Sequence, residues 1–267
     1  MTRPGPHYPD AGARIAFMIG HPVAQTALPA QINAQAAERR AGFVMVPLDL
    51  RPPALPGFLD SLRGIANCAG AVLTAPHKQA AAGLVDDRTA AADLAGAVNL
   101  VLRHRNGRLS GDNTDGAGFV AALRAARFRI EPARVLLFGC GGAGAAIAAA
   151  LTQAGTGRID LVDTDQARAD DLAGRLVGCP VRAIPAPASV AAYDLVCNAT
   201  AIGADGRAMV HPLTGLRTGA MVADVIGHPA RTPFLQEAER RGARIQTGPE
   251  MARGQMPLIL EKFGWLA

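Results

Sequence analysis

Val135-Leu136-Leu137-Phe138-Gly139-Cys140-Gly141-Gly142-Ala143-Gly144 decides the fold. Four apolar residues, too few for a helix, run into glycines at 139, 141 and 144 with the spacing G-x-G-x-x-G, and an alanine-rich helical stretch follows. A strand that turns into a helix through this spacing predicts a phosphate-binding turn. Gly139 permits the tight turn, Gly141 lets a pyrophosphate approach backbone amides, and Gly144 lets the helix pack closely on the strand. Unpaired N–H groups and the helix dipole favour an anion there. Gly139, Gly141, Gly142, Ala143 and Gly144 are therefore candidate cofactor-binding residues. A glycine-rich turn without a cofactor is the plainer alternative, but here strand, helix and a following acid supply the context that a lone motif lacks.

That acid is Asp163, at the end of the next apolar run and 19 residues beyond Gly144. The interval suits a carboxylate that accepts from the adenosine ribose hydroxyls. Asp163 and Asp165 would repel a 2′-phosphate, and Arg168, a turn further on, reads as solvent-facing, so the expected cofactor is NAD, with NADP less favoured. Around this turn the apolar runs Ile159–Val162, Leu195–Cys197 and Met221–Val225 continue the alternation of strand and helix. Upstream, Arg14–Ile19, Gly42–Leu48 and Gly70–Leu73 read as strands, with helices at Pro29–Arg40 and Leu55–Leu62 between them. This βαβαβ order predicts parallel strands whose ends share one sheet edge. The fold expected is α/β in two domains: an N-terminal βαβ substrate domain and a doubly wound Rossmann domain. Residues 1–116 are assigned to the first, completed by C-terminal helices within 238–267, and 117–237 to the second, with a linking helix near Gly116–Ala126.

Composition agrees. The 267 residues are 49% hydrophobic and only 4% aromatic, with 30 glycines, which favours close helix-on-sheet packing. A formal charge of +5 is spread along the chain without a run of five Lys/Arg, so a nucleic-acid partner is not expected. Cys68, Cys140, Cys179 and Cys197 lack C-x-x-C spacing and read as reduced, buried thiols. Val135–Gly157 is 23 uncharged residues, long enough to span a bilayer, but six glycines interrupt it. Met1–Ala13 has no apolar signal core, so a cytoplasmic protein without a membrane partner is expected. No His, Cys, Asp and Glu grouping has metal-ligand spacing, so no metal is expected.

Three polar stretches in the first half combine ionisable residues with turn formers: Thr74-Ala75-Pro76-His77-Lys78, Gly96-Ala97-Val98-Asn99 and Gly111-Asp112-Asn113-Thr114-Asp115-Gly116. Oxidising an alcohol needs a group that takes the hydroxyl proton while hydride leaves, and a lysine beside a carboxylate can do this. Lys78 and Asp115 are the candidate pair, although a Lys and an Asp 37 residues apart are by themselves more often unrelated surface charges.

Together these stretches resemble the shikimate dehydrogenase family, whose first domain carries T-x-P-H/F-K, then G-A-x-N, then N-T-D-G-x-G-F. The resemblance continues through Asn198-Ala199-Thr200, Gly203, Asp224, Pro229, Thr232-Pro233 and Gly248-Pro249-Glu250-Met251 to Gln255, in order along nearly the whole chain. It implies a Lys78/Asp115 dyad, with Thr26, Thr74, Asn99 and Gln255 contacting a small hydroxy acid in a cleft between two domains. It places Asn198, Thr200 and Gly248 with the cofactor. It also implies that His77, which varies with phenylalanine, serves packing.

Two positions depart from the family pattern. Its G-x-P-x-x-H-S-x-S-P segment reads here Gly20-His21-Pro22-Val23-Ala24-Gln25-Thr26-Ala27-Leu28-Pro29, so Thr26 keeps one hydroxyl and Leu28 replaces the other. Losing a hydrogen bond to a carboxylate costs about 1.5–3 kcal/mol. Gly227 stands where the family usually has tyrosine. With NAD expected from Asp163, the resemblance implies a dehydrogenase, monomeric or homodimeric, acting on shikimate, quinate or a related cyclic polyol acid. The alternative is a non-catalytic NAD-binding sensor on the same fold.

Overall fold

The computed structural model describes residues 10–24 and 26–265; Gln25 and most of the N-terminal leader lie outside the described residues. The chain divides into two compact units, one of residues 1–114 with 256–267 and the other of residues 115–255.

In the first unit β1 (Arg14–Gly20), α1 (Leu28–Arg39), β2 (Phe43–Asp49), α2 (Leu55–Gly64) and β3 (Cys68–Leu73) give the expected βαβαβ order. β1 pairs in parallel with both β2 and β3. β3 is buried at every position, which its small and apolar sequence CAGAVL allows. There follow α3 (Lys78–Ala82), β4 (Asp87–Arg88), α4 (Ala90–Ala95), β5 (Leu100–Arg103) and β6 (Leu109–Asp112). The three strands of the βαβαβ run are parallel as expected; beyond them β5, which the sequence reading did not include, runs antiparallel to both β3 and β6, giving the order β2-β1-β3-β5-β6-β4. The β5–β6 hairpin turns through Asn106-Gly107, and Gly107 takes the left-handed φ of +81° that favours glycine. Gly70 meets this hairpin closely, since a Cβ there would lie 1.9 Å from the Val101 carbonyl oxygen. One apolar cluster joins Met18, Leu28, Ile32, Met45, Ile259 and Phe263; another joins Ile19, Leu55, Leu59, Leu62, Ala81 and Leu109.

The second unit contains α5 (Asp115–Ala125), β7 (Arg134–Phe138), α6 (Gly142–Gln153), β8 (Arg158–Val162), α7 (Gln166–Arg175), β9 (Val181–Ala183), β10 (Leu195–Asn198), β11 (Met221–Asp224), α8 (Pro233–Arg240) and β12 (Arg244–Gln246). Its strands are all parallel in the order β12-β11-β10-β7-β8-β9. β7 starts the series at the centre and the order reverses between β7 and β10, the switch point at which doubly wound sheets bind ligands. Helix α9 (Gly248–Lys262) ends the described fold and carries Pro257 within it.

The units differ from the expected bounds after residue 237. Residues 238–255 fall in the second unit, because β12 pairs with β11 and continues that sheet. Cys68, Cys140 and Cys197 are buried, whereas Cys179 is only partly so. Among the described residues no helix is long and apolar enough to cross a membrane. The 23 uncharged residues from Val135 to Gly157 form β7, the glycine turn and α6.

Candidate active site

Thr74–Lys78, Gly96–Asn99 and residues 111–114 of the third polar stretch reach one sheet edge of the first unit despite the antiparallel strands. β1 and β3 end there at Gly20 and Leu73. β5, running the other way, begins there after Asn99, and β6 returns to it at Asp112, opposite Leu100. Backbone bonds stitch the edge together: Thr74 N–H donates to Ile19 (2.8 Å), Leu73 N–H to Asn99 (2.7 Å) and Asn99 N–H to Asp112 (3.0 Å). Gly20 is required at this crossing, since a Cβ would fall 2.6 Å from Thr74 Cγ2.

Lys78 opens α3, is partly buried, and its carbonyl accepts from Val98 N–H at 2.8 Å. His77 before it is buried with Nε2 2.8 Å from the Leu50 carbonyl oxygen, which agrees with a packing role. Asn99 is buried and grips Thr114 twice, accepting from its N–H (2.8 Å) and donating to its hydroxyl (3.0 Å). Asn113 donates through Nδ2 to the Ala97 carbonyl at 3.0 Å. Thr26 lies before α1 with its hydroxyl buried and unpartnered among the described residues. Leu28 is in the first turn of α1 and packs into the apolar cluster with Ile32 and Ile259, so its alkyl chain belongs to the core.

Asp115 opens α5 in the second unit and is only 2% exposed. Gln255 donates to its Oδ1 at 3.2 Å, so the structure brings these two together. Gly118 makes room for Gln255, because a Cβ there would lie 2.2 Å from Gln255 Cγ.

At the β7–α6 turn the glycines have different reasons. Gly139 has φ +94°, and a Cβ there would meet Thr200 Cγ2 at 2.8 Å and the Ala199 carbonyl at 2.9 Å. At Gly144 a Cβ would lie 1.9 Å from the Gly139 oxygen. Both are therefore demanded by the protein's own packing. Gly141 is not: its backbone is ordinary and a Cβ would meet nothing within 4 Å. It caps α6 without a side-chain bond, and Gly142 and Ala143 form the partly exposed first turn. The space left open faces unpaired helix N–H groups, which fits the phosphates of a dinucleotide.

Asn198 is wholly buried. Its Oδ1 accepts from Thr200 N–H (3.0 Å) and hydroxyl (2.7 Å), while Nδ2 donates to Ile202 (3.0 Å) and Asp224 (3.2 Å), so it shapes the loop beside Gly139. Gly248 begins α9 where a Cβ would fall 2.3 Å from the Ile226 oxygen. At Gly227 an added Cβ meets nothing within 4 Å, so packing does not demand a glycine there.

Three features escaped sequence reasoning. His21 Nδ1 lies 2.6 Å from Asp49, whose carboxylate also accepts from Val23 N–H and is thereby held below the ordinary aspartate range. Asp112 is buried and paired with Lys262 at 2.7 Å. Asp224 is buried and bonded by Asn198, Thr232 and the Ile226 N–H. The resemblance marked Asp224 by position only, and Lys262 lies 150 residues from Asp112 in sequence.

Comparison with known proteins agrees with this arrangement. Residues 18–101 match the shikimate dehydrogenase substrate binding domain and residues 120–177 the ThiF family. The shikimate dehydrogenase (NADP(+)) of Moorella thermoacetica is 35% identical, over 90% of this chain and 84% of its own. Among solved structures, shikimate 5-dehydrogenase from Thermus thermophilus, in complex with NADP(H) and shikimate, superposes with a TM-score of 0.84 at 32% identity, covering 95% of this chain and 94% of that one. Quinate dehydrogenase from Corynebacterium glutamicum in complex with NAD gives 0.80 at 28% identity, covering 95% and 94%.

These relatives overturn the expected preference for NAD, since curated relatives carry NADP(+) in their names. The expectation of NAD treats Asp163 as a free acceptor. Its oxygens already accept from Cys140 N–H (2.7 Å) and Asp165 N–H (2.9 Å). Burial pushes its carboxyl up, but these bonds and the Arg168 charge outweigh that and hold it below the ordinary value. Arg168 is half exposed, as read from the sequence, yet its guanidinium lies 3.6 Å from Asp163 and 3.2 Å from Asp165, so a cation stands beside the two acids. A chain matching such relatives along nine-tenths of its length, with the motif residues gathered at the ends of its strands, belongs to the shikimate dehydrogenase family.

Proposed function

We propose that this protein is an NADP-linked oxidoreductase that interconverts a secondary hydroxyl and a ketone on shikimate or a closely related cyclic hydroxy acid. The observation that carries it is the gathering of Thr74, Lys78, Asn99, Asn113 and Thr114 at one sheet edge of the first unit, in a chain of this family. The first unit serves the substrate and the second the dinucleotide.

The nicotinamide, when bound, accepts or returns the hydride. Lys78 Nζ takes the hydroxyl proton in oxidation and gives it to the carbonyl oxygen in reduction. Asp115 orients that ammonium group, and Gln255 fixes the Asp115 carboxylate. Thr26 and Thr74 offer hydroxyls, and Asn99, immobilised by Thr114, offers an amide, to the hydroxyls and carboxylate of the substrate. The N–H groups of Gly141, Gly142, Ala143 and Gly144 receive the pyrophosphate, bordered by Gly139, Asn198, Thr200 and Gly248. Arg168, beside Asp163, is the cation that a 2′-phosphate would meet. A sensor without catalysis finds no support among relatives named as dehydrogenases.

The test is NADPH formation at 340 nm with purified protein, NADP, and shikimate, quinate and other hydroxylated cyclic acids. Turnover with shikimate or a close analogue is expected. NADP binding without turnover on any member of the panel would overturn the proposal.

A further inference from the structure

Behind the Asn113–Asp115 turn lies an ion pair that the proposed reaction does not use. Asp112 is 6% exposed and its carboxylate is engaged on both oxygens. Oδ2 lies 2.7 Å from Lys262 Nζ, in the last turn of α9; Oδ1 accepts from the Thr89 hydroxyl (2.5 Å) and Asn113 N–H (2.8 Å). Thr89 in turn caps α4, accepting from Ala92 N–H. The Asp112 carbonyl receives Asn99 N–H, and the Asn99 side chain holds Thr114, the residue before Asp115. Covalent and hydrogen bonds thus run unbroken from Lys262 to the residue adjoining the candidate dyad. Gln255, seven residues or two helical turns before Lys262, is bonded to Asp115 within the second unit.

We propose that Asp112 and Lys262 are positioning residues: their ion pair anchors the Asn113–Asp115 turn to the C-terminal helix and fixes the places of Asn99 and Asp115. Mere stability does not call for such a pair. Taking the Asp112 charge out of water is costly, and the partly exposed Lys262 offsets that only in part, whereas an apolar side chain of similar size usually serves a core as well or better. The pair does fix direction, because one buried carboxylate satisfied by a cation, a hydroxyl and an amide has a single orientation. Displacing a reacting group by about 1 Å can cost on the order of a hundredfold in rate.

This inference rests on the proposed role of Asp115, and two readouts separate the claims. In the first, kcat and KM are measured for Asp112→Asn, Lys262→Met, the double variant and Lys262→Arg. Each single charge-removing variant is expected to lose about tenfold in kcat with the KM for NADP within about twofold. The double variant should be no slower than the slower single one, and Lys262→Arg should recover most of the rate. The second readout is hydrogen exchange at the Asn113 and Thr114 amides, which needs no activity. Protection there should fall about tenfold in Lys262→Met, and recover in Lys262→Arg, while β7 amides keep theirs. A lowered Tm with kcat and both amides unchanged would show a structural pair only and overturn the proposal. Should the unaltered protein turn over no substrate, the dehydrogenase proposal fails, and the exchange data alone decide whether the anchor exists.

Discussion

The two units prepare their ligand edges by opposite means. In the first, side chains tied to one another hold the edge: Asn99 to Thr114, Asp112 to Lys262 and Thr89, His21 to Asp49. In the second, the edge depends on side chains that are missing, at Gly139, Gly141 and Gly144. On the proposed function, the contrast follows from what each must meet. A proton-transfer group has to be held in one place, whereas a pyrophosphate is best received by bare backbone N–H groups. Even within the glycine turn a further division holds, since packing demands Gly139 and Gly144 but not Gly141, which is left to the proposed dinucleotide.

The largest effect expected from breaking this contrast is at Gly144. Gly144→Ala sets a Cβ against a backbone oxygen that cannot swing aside, so a loss of about 4 kcal/mol or more is expected, read by urea denaturation. Near-normal stability would mean that the turn relaxes and that packing does not require the glycine. Next in size is Gly141→Ala. Its Tm should stay within about 2 °C, while the Kd for NADP measured by calorimetry rises about tenfold. Unchanged affinity would place the pyrophosphate elsewhere.

Much of this division was legible in the sequence because it is local. The G-x-G-x-x-G spacing marked all three glycines, and short apolar runs marked β7, β8, β10 and β11, which are parallel and buried on both faces. The hairpin of β5 and β6 was missed because its strands are four residues long and carry Arg103 and Asp112, although Asn106-Gly107 was an available signal. The motif residues Lys78, Asp115 and Asn99 were marked by resemblance, but what holds them was hidden. Lys262 stands at the far end of the chain, and spacing located the Asp163 carboxylate without showing that two amides and Arg168 already engage it.

Two buried aspartates, one in each unit, sharpen the comparison through pH, with the smallest expected effect. Burial pushes the Asp112 carboxyl up, but Lys262, Thr89 and the Asn113 N–H outweigh it and hold it below the ordinary value. Its contribution to stability is therefore complete above the unfolded value of about 3.9 and is lost as pH falls through the lower folded value. Asp224 has three neutral donors, and burial dominates, raising its carboxyl. Its contribution is complete below the unfolded value and lost as pH rises through the folded one. Thermal melts between pH 3 and 7 should show Asp112→Asn flattening the acid limb of the Tm profile and Asp224→Asn steepening it. Equal slopes in both variants would contradict the opposite environments described here.

The proposed role of Lys78, carrying the proton in an alcohol–ketone interconversion, is tested by Lys78→Met. Single-turnover hydride transfer should be measured with shikimate and NADP, alongside NADP binding to the same preparation. The account predicts a fall in the transfer rate of about a thousandfold or more, with the Kd for NADP unchanged within about twofold and the Tm preserved. A variant that transfers hydride within tenfold of the unaltered protein would remove Lys78 from the chemistry and contradict the account.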